Sequence, residues 1–264
     1  MGRNRKEESG VTVRSVNRAL SLLELMAEEN NPIALSELAE KAGLKMSTVH
    51  RLLTTMMRKG FVEQDAVSLR YRLGVKTLEI GSAALLVNNL RILIRPYLKQ
   101  IAERINETVN LAVLDGTEVV YIDQIESTNI VIVKMFARIG SRGPAYCTGT
   151  GKALLAGLTV EELRKRLAGI DFKKFTEYTL TNAEQLTAKL VQIKKDGYAL
   201  DFSERDIGVT CVAVPVKDPD GRVQAAISVS GPEQRMARER IDREILPYLL
   251  QISAEITPKF AKRP

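Results

Sequence analysis

Polar and cationic side chains share one face of a short helical pattern near the N-terminus. They bring hydroxyls, an imidazole and two guanidiniums to that face, and no carboxylate: Ser47, Thr48, His50, Arg51, Thr54, Thr55 and Arg58. The opposite face repeats apolar residues at helical spacing: Val49, Leu52, Leu53 and Met56. Such polar groups form hydrogen bonds with base edges and phosphate oxygens, so this face suits the major groove of DNA.

A second helical pattern lies directly before this one. Apolar residues recur over 35–42 at the spacing of one helix face, and Gly43 then stops the helix as a left-handed residue would. We predict a helix-turn-helix with residues 45–58 as its recognition helix. A third apolar stripe upstream completes a small core: Val16, Ala19, Leu20, Leu23, Met26 and Ala27. Leu22 and Leu25 fall off this stripe and are candidates for contact with a second subunit.

Two short alternating runs follow the recognition helix. Residues 61–64 and 69–73 predict two strands around a short loop, which makes the motif a winged helix. Arg70 and Arg72 share one face of the second strand, where we expect them to reach phosphates. The alternative is a three-helix bundle with a solvated polar face. Residues 45–72 carry a net charge of +4, and this concentration of charge favours DNA binding.

Composition sets the bounds for the whole chain. A length of 264 residues suits two domains, and a hydrophobic content of 45% favours compact folding. No apolar run approaches the roughly 20 residues of a membrane span, and the N-terminus lacks the apolar core of a secretion signal. Two cysteines do not make a disulfide framework. We therefore expect a cytoplasmic protein without a membrane partner; its net charge of +7 permits nucleic-acid binding.

The pattern divides the chain into four segments. We predict a flexible arm over 1–10, a winged helix-turn-helix domain over 11–74, a linker helix over 75–95 and a second domain over 96–264. Pro96 interrupts the helical pattern and is expected to force a kink or a new start. The linker is apolar on more than one side, which is typical of a helix between partners.

The second domain consists of short strands with helical patterns between and after them. Predicted strands cover 109–114, 118–125, 129–136, 198–203, 209–216 and 223–230. Predicted helices cover 152–158, 160–168, 182–196 and 236–260. Strands that arrive in hairpin pairs, with helices set apart, predict an antiparallel sheet flanked by helices. The fold class is therefore α+β.

Enzymatic and metal sites find little support in the sequence. His50 is the single histidine, so a Ser-His-Asp or Cys-His site in the second domain is excluded. Zinc would need more Cys and His residues, and the glycines around Lys152 lack the spacing of a phosphate loop. Asp201, Glu204 and Asp206 cluster without a second catalytic group. We expect no enzyme, metal or cofactor; an enzyme fused to a DNA-binding domain and an architectural DNA binder without ligand stay as alternatives.

Three features of the second domain indicate a ligand pocket. Residues 147–151 run straight into a predicted helix, whose free N–H groups suit an anion, although Thr148 or Thr150 could simply cap it. Small and hydroxyl side chains alternate along two strands: Val209, Cys211 and Ala213 on one, and Ala226, Ser228 and Ser230 on the other. Asp201 and Ser203 project from one face of a third. This set fits a small organic acid better than a large apolar ligand.

Six stretches of the chain resemble the IclR family of bacterial transcriptional regulators. They are SVNRAL (15–20), GLKMSTVHRLL (43–53), YRLG (71–74), GTGKALLA (149–156), GVTCVAVPV (208–216) and AISVSGP (226–232). The resemblance spans essentially the whole length. It implies an N-terminal winged helix, a linker helix and a C-terminal effector-binding domain similar to GAF and PAS folds.

The resemblance also implies partners and site residues. Members bind a DNA operator as dimers, often assembled into tetramers, and act as repressors or activators. Their effectors are keto acids, sugar-acid products or aromatic acids. In members that bind keto acids the pocket positions match Ile132, Met135, Gly149, Thr150, Asp201, Ser203, Val209, Cys211, Ser228 and Ser230. Gly143 and Thr150 differ from the bulky apolar residue and the alanine of some members, which changes pocket volume or polarity.

For the operator, we expect base or phosphate contacts from the recognition helix and phosphate contacts from its end and the wing. The predicted DNA-binding residues are Ser47, Thr48, His50, Arg51, Thr54, Arg58, Arg70 and Arg72. Arg51 is the predicted base contact, because a guanidinium pairs with two acceptors of guanine.

Overall fold

The chain forms two compact units in the computed structural model, one up to Val87 and the other from Asn88 onward. The structure describes residues 12–29, 31–129 and 135–262. The predicted arm over 1–10 lies outside the described residues, as do residues 130–134 of the predicted strand over 129–136.

The N-terminal unit contains four helices and two paired strands among its described residues. These are α1 (Arg14–Glu28), α2 (Leu35–Ala42), α3 (Met46–Arg58), β1 (Val62–Gln64), β2 (Tyr71–Leu73) and α4 (Val75–Leu86). Gly43 ends α2 with φ 62°, the left-handed conformation expected there. β1 and β2 are antiparallel, and Ile33 pairs with Tyr71 on the other side of β2. The winged helix-turn-helix architecture is confirmed.

The core face of α1 differs from the predicted stripe. Leu22 and Met26 are buried against α2 and α3, whereas Val16 and Leu20 are more than half exposed. Leu25 is partly buried and packs against the same core. The prediction that Leu22 contacts a second subunit is therefore wrong. Because α1 is apolar over much of its circumference, its pattern permits two choices of buried face, and packing against α2 and α3 selects between them.

The predicted linker helix also ends at a different place. α4 stops at Leu86, and α5 runs over Asn89–Ile105, where the side chain of Asn88 caps it by accepting from the Arg91 amide at 3.0 Å. Pro96 lies inside α5 on its exposed side and does not break it. The buried side of α5 packs instead through Ile94, Leu98, Ile101 and Ile105. Proline has no N–H to donate, but the hydrogen bond that α5 lacks at Pro96 is on its solvent side, so the packing of the buried side stays intact.

No single described helix is long and apolar enough to cross a membrane; α4 and α5 meet the length and composition criteria only as a broken pair.

The C-terminal unit is built on one antiparallel sheet. Its strands are β3 (Thr108–Asp115), β4 (Glu118–Ile125), β5 (Arg142–Pro144), β6 (Ala199–Phe202), β7 (Val209–Lys217) and β8 (Val223–Pro232). They lie in the order β5-β4-β3-β8-β7-β6. The remaining helices are α6 (Gly149–Leu155), α7 (Val160–Leu167), α8 (Ala183–Asp196), α9 (Arg238–Arg240) and α10 (Leu246–Ile256). The α+β class with an antiparallel sheet is confirmed, whereas the sequence analysis did not predict β5.

The sheet is covered on both faces. On one face, β3, β7 and β8 pack against α5 and α10; a π-helical turn, Ile241–Ile245, joins α9 to α10. On the other face, alanines of the same strands pack against α6 and α8. Ile227 and Val229 face the first core, as the alternation of β8 predicts. The side chains between them are buried on the second face, and the candidate ligand site lies there.

Gly74 shows how closely the end of the wing approaches the turn that follows the recognition helix. Its amide donates to the Phe61 carbonyl at 2.8 Å, and a Cβ at this position would lie 2.2 Å from the carbonyl oxygen of Gly60. We expect Gly74→Ala to lower the free energy of unfolding by about 1–3 kcal/mol, because backbone must move to admit the methyl group.

Urea denaturation followed by circular dichroism measures this effect. Gly81→Ala in α4 is the matched control, because nothing lies within 4 Å of its added Cβ and alanine favours a helix. Equal stabilities of the two variants would show that the approach at Gly74 is not tight.

Candidate functional site

The predicted recognition face is presented by α3. Val49, Leu53 and Met56 are buried in the core of the N-terminal unit and fix the rotation of the helix. The opposite side carries five exposed polar side chains: Ser47, His50, Arg51, Thr55 and Arg58. Arg51 and Arg58 form no ion pair with any described residue, so their guanidiniums face solvent with their donors available.

Two hydroxyls of α3 are already used within the helix. Thr54 Oγ1 donates to the His50 carbonyl at 2.9 Å, and Thr55 Oγ1 donates to the Arg51 carbonyl at 3.0 Å. Their protons therefore serve the backbone, which leaves only acceptor capacity. Thr48 is half-buried at the start of the helix. Ser47, His50 and Arg51 stay as the donors of the predicted set nearest the N-terminal end of the helix.

The two wing arginines have carboxylate partners, which the charge count did not anticipate. Arg70 Nη1 lies 3.3 Å from Glu37 Oε2 and 3.1 Å from the Pro32 carbonyl oxygen. Arg72 Nη2 lies 3.0 Å from Glu63 Oε2 across the strand pair. All four charged side chains are exposed, so each pair contributes little to stability and can exchange its partner for a phosphate. Through Glu37, Arg70 also connects the wing with α2.

The predicted pocket residues on the sheet converge on one face. Ser228 and Ser230 are 1% and 5% exposed, so their hydroxyls meet other protein groups instead of bulk water. Cys211 of β7 lies opposite Ser230, and Asp201 of β6 lies opposite Cys211. A buried row of hydroxyl, thiol and carboxyl groups thus crosses three neighbouring strands. Val209 lies two residues before Cys211 on the same face of β7, opposite Pro232.

The start of α6 packs tightly against this row. A Cβ on Gly149 would lie 2.9 Å from Cys211 Sγ, and one on Gly151 would lie 2.2 Å from the Ala145 carbonyl oxygen. Thr148 caps the helix, since its Oγ1 accepts from the Gly151 amide at 3.1 Å. The glycines therefore permit close packing, and the Gly151 amide at the start of α6 already has the Thr148 hydroxyl as its partner.

Asp201 lies in a buried cluster of charges. Lys152 is fully buried in α6 and pairs with Glu204, and Asp201 Oδ1 accepts from the Glu204 amide at 2.8 Å. Burial raises the pKa of Asp201 to about 7; the nearby Lys152 ammonium lowers the pKa, whereas the Glu204 carboxylate raises it. Ser203 has φ 56°, and its Oγ accepts from the Gly208 amide at 2.9 Å. Ser203 thus holds the turn after β6.

Of the remaining predicted pocket residues, Thr150 lies in α6, and Met135 and Ile132 belong to the segment before β5. Thr150 Oγ1 lies 3.2 Å from the hydroxyl oxygen of Tyr121, which is buried on β4. Phe136 fills the space beside Gly143, where an added Cβ would lie 2.4 Å from the ring. Met135 precedes Phe136 and is partly buried, and Ile132 lies outside the described residues.

Comparison with known proteins identifies both units. Residues 15–66 match the IclR helix-turn-helix domain. Residues 82–257 match a family described as bacterial transcriptional regulator IclR C-terminal. The chain belongs to the IclR family.

Relatives and solved structures of this IclR-family chain agree along nearly its whole length. The transcriptional repressor IclR of Escherichia coli K12 is 38% identical over 247 residues, which cover 93% of this chain and 89% of the relative. The Thermotoga maritima IclR structure has a TM-score of 0.71 at 34% identity, covering 92% of this chain and 96% of that one.

An IclR homolog from Microbacterium hydrocarbonoxydans, crystallised with 4-hydroxybenzoate, has a TM-score of 0.75 at 26% identity, covering 92% and 97%. This chain is therefore a DNA-binding transcriptional regulator with a C-terminal effector-binding domain.

Sequence reasoning missed several polar residues of this IclR-type pocket face. Asn110 of β3 and Gln124 of β4 form hydrogen bonds beside Ser228 and Ser230, and Lys152 neutralises the acidic cluster. Asn110 is the one polar residue of the predicted strand over 109–114, and this position would have marked it as a buried polar residue that needs a partner.

The raised pKa of Asp201 has a measurable effect on folding. Below pH 4 the carboxyl is protonated in both the folded and the unfolded chain. Between about pH 4 and 7 the unfolded chain ionises while the fold retains the proton, so Asp201 makes the fold less stable as pH rises. We expect Asp201→Asn to gain stability relative to wild type across this window, by at most about 1.4 kcal/mol per pH unit.

Urea denaturation at pH 4, 5, 6, 7 and 8 gives the difference between variant and wild type. Asp171→Asn is the control, because it makes the same substitution at an exposed carboxyl. A difference for Asp201→Asn that does not change with pH would mean that this carboxyl titrates alike in the folded and unfolded chain.

Proposed function

We propose that this IclR-type regulator binds a palindromic operator as a homodimer, or as a tetramer made of two dimers, and that a small organic acid in the C-terminal domain changes its DNA affinity. The observation that carries the DNA part is the recognition face of α3, where Arg51 and Arg58 lie exposed with no described carboxylate partner. Bacterial DNA lies in the cytoplasm, so the proposal places the protein there.

Arg51 is the proposed base-reading residue. It lies in the second turn of α3, exposed, between Ser47 and Arg58, and residues near the N-terminal end of a recognition helix reach base edges. A guanidinium pairs with O6 and N7 of guanine through two hydrogen bonds. Ser47, Thr48, His50 and Thr54 add base or phosphate contacts, with Thr54 as an acceptor. Arg58 and the wing arginines add phosphate contacts that weaken with salt.

A homodimer would read a palindrome because it presents two identical recognition helices. α4 has no buried residue although it is mainly apolar, and Val75, Leu78 and Leu86 are more than 60% exposed. Aliphatic surface of this kind favours burial against a second copy. Two recognition helices would then read half-sites about one helical turn, or a multiple of it, apart.

The proposed effector is a carboxylic acid of the keto, sugar-derived or aromatic type. Ser228 and Ser230 would bind its carboxylate, because their buried hydroxyls lie beside each other on one strand face. Asp201 would accept a hydrogen bond from a ligand hydroxyl or a bound water. Gly149, Thr150, Met135, Val209 and Cys211 would line the rest. The 4-hydroxybenzoate bound by the homolog is an acid of this class.

A route from this pocket to the linker runs through β4. Asp123 is fully buried and pairs with two arginines of α5: Arg91 Nε lies 3.2 Å from its Oδ2, and Arg95 pairs with its Oδ1. The next residue, Gln124, reaches the pocket face. A ligand that prefers one position of β4 would therefore shift the start of α5, which follows α4 directly in the chain. Coupling of about 1–3 kcal/mol suffices for regulation.

The DNA part is tested by selecting bound duplexes from a random pool with wild type and with Arg51→Ala. We expect wild type to enrich a palindrome and the variant to lose preference at one base per half-site, at a cost of about 1–3 kcal/mol. Arg58→Ala is the matched control, because losing a phosphate contact weakens all sequences alike. An unchanged preference in Arg51→Ala would assign base reading to another residue.

The effector part is tested with Ser228→Ala combined with Ser230→Ala. We expect DNA affinity without ligand to stay within about twofold of wild type, because both serines lie in the other unit from α3. The response of operator binding to pyruvate, gluconate or 4-hydroxybenzoate should disappear, as fluorescence anisotropy would measure. A dose–response curve like that of wild type would place the acid elsewhere.

A further inference from the structure

We propose that Asn110 and Gln124 are positioning residues of the effector site, which fix both serine hydroxyls as hydrogen-bond donors and so select a carboxylate over a neutral ligand of the same shape. This inference rests on the proposed effector function and extends it from which residues line the site to how the site discriminates charge.

The donors and acceptors of this network can be assigned from the Ala137 carbonyl oxygen, which can only accept. The carbonyl oxygen of Ala137 lies 2.8 Å from Gln124 Nε2, so the amide of Gln124 must place its nitrogen there. The same nitrogen lies 2.7 Å from Asn110 Oδ1 and donates its second hydrogen to it. The orientation of Gln124 is thus set by a backbone carbonyl.

Asn110 then has one permitted orientation. Rotating its amide by 180° would set its nitrogen against the nitrogen of Gln124, two donors facing each other at 2.7 Å. With Oδ1 held by Gln124, Asn110 Nδ2 points to the serines and lies 3.3 Å from both Ser228 Oγ and Ser230 Oγ. Each of its two hydrogens has one serine oxygen as its acceptor.

This arrangement fixes the direction in which both serine hydroxyls donate. Each oxygen accepts from Asn110, so each O–H bond points away from Asn110. Cys211 lies opposite Ser230 across the strand pair; burial raises the pKa of its thiol to about 11, and the Ser230 and Ser228 hydroxyls act to lower that pKa. A thiol is a weak acceptor, so a stronger acceptor can replace it.

A carboxylate is the ligand that these two protons favour. Its two oxygens accept hydrogen bonds and carry the charge, and bonds to an ionised acceptor are about twice as strong as neutral ones. A primary amide of the same shape has one accepting oxygen and presents its NH2 group to the second hydroxyl. Asn110 is fully buried. Water therefore cannot replace its hydrogen bonds, and any other arrangement of them would leave buried polar atoms without partners.

The test compares matched acids and amides by isothermal titration calorimetry on the full chain. The pairs are 4-hydroxybenzoate with 4-hydroxybenzamide, pyruvate with pyruvamide, and gluconate with gluconamide. For the tightest acid, we expect wild type to prefer the acid over its amide by about tenfold or more. Asn110→Leu keeps the size and removes the N–H groups, and Gln124→Met leaves Asn110 free to turn.

In Asn110→Leu we expect acid affinity to fall by about tenfold and amide affinity by less than about threefold, so that the preference largely disappears. Gln124→Met should lower the preference to a smaller extent. Thr108→Val is the matched control, because it replaces a buried hydroxyl of the same strand by a methyl group of similar size. Thr108 lies opposite Ser230 but forms no hydrogen bond with Asn110, Gln124 or the two serines. Its preference should equal that of wild type.

Operator binding without ligand and the melting temperature show that each variant is folded. An acid-over-amide preference that survives in Asn110→Leu would overturn the role of Asn110, and the proposed effector function would stand. Equal losses of acid and amide would also overturn it, because they would show a structural role. If no acid binds wild type or changes its operator affinity, the effector proposal itself fails, and the carboxylate assignment fails with it.

Discussion

Coverage of the sheet on both faces is the constraint on which the C-terminal unit depends. The strands β3, β7 and β8 lie between α5 and α10 on one side and α6 and α8 on the other, so a polar side chain on them has no bulk water to satisfy it. An unpaired buried polar group costs about 1–3 kcal/mol. Asn110, Ser228 and Ser230 therefore form one hydrogen-bonded group, in which the direction of each hydrogen bond follows from its neighbour.

The N-terminal unit meets the opposite requirement, since it must leave polar groups without partners. Its core is small, and the buried residues of α3 serve to turn the rest of that helix outward. Glu37 performs two tasks there, because its carboxylate accepts from the Ala34 amide at 3.0 Å and also pairs with Arg70. One side chain thus connects the beginning of α2 with the wing, and the recognition helix lies between two fixed neighbours.

Much of the fold could be predicted because its signals are local. Alternation predicted the hairpin of β3 and β4 and the strands β7 and β8, and the glycine after α2 predicted the left-handed turn. The errors arise where several local solutions compete. Leu22 belongs to a helix that is apolar on many sides, and Pro96 is tolerated because its missing bond faces solvent. In both cases the outcome depends on packing partners that lie elsewhere in the chain.

The candidate site was predictable in part for the same reason. Ser228 and Ser230 stood out because they alternate with Ile227 and Val229 on one strand. Asn110 and Gln124 come from two other strands, and their role depends on the register that places them beside the serines. The pairing of Arg72 with Glu63 likewise follows from strand register. Such partnerships are properties of the assembled sheet.

Phe136 suggests how such a pocket can change its capacity. Its ring occupies the space that a side chain at position 143 would otherwise take, and it makes an edge contact with Tyr121 at 6.1 Å between ring centroids. The bulk on this side of the proposed effector site thus belongs to a connecting segment, whereas the hydroxyl pair belongs to the sheet. In that proposed site, size and charge would be recognised by separate parts of the chain, so a smaller residue at 136 would admit a longer acid without disturbing any strand pairing.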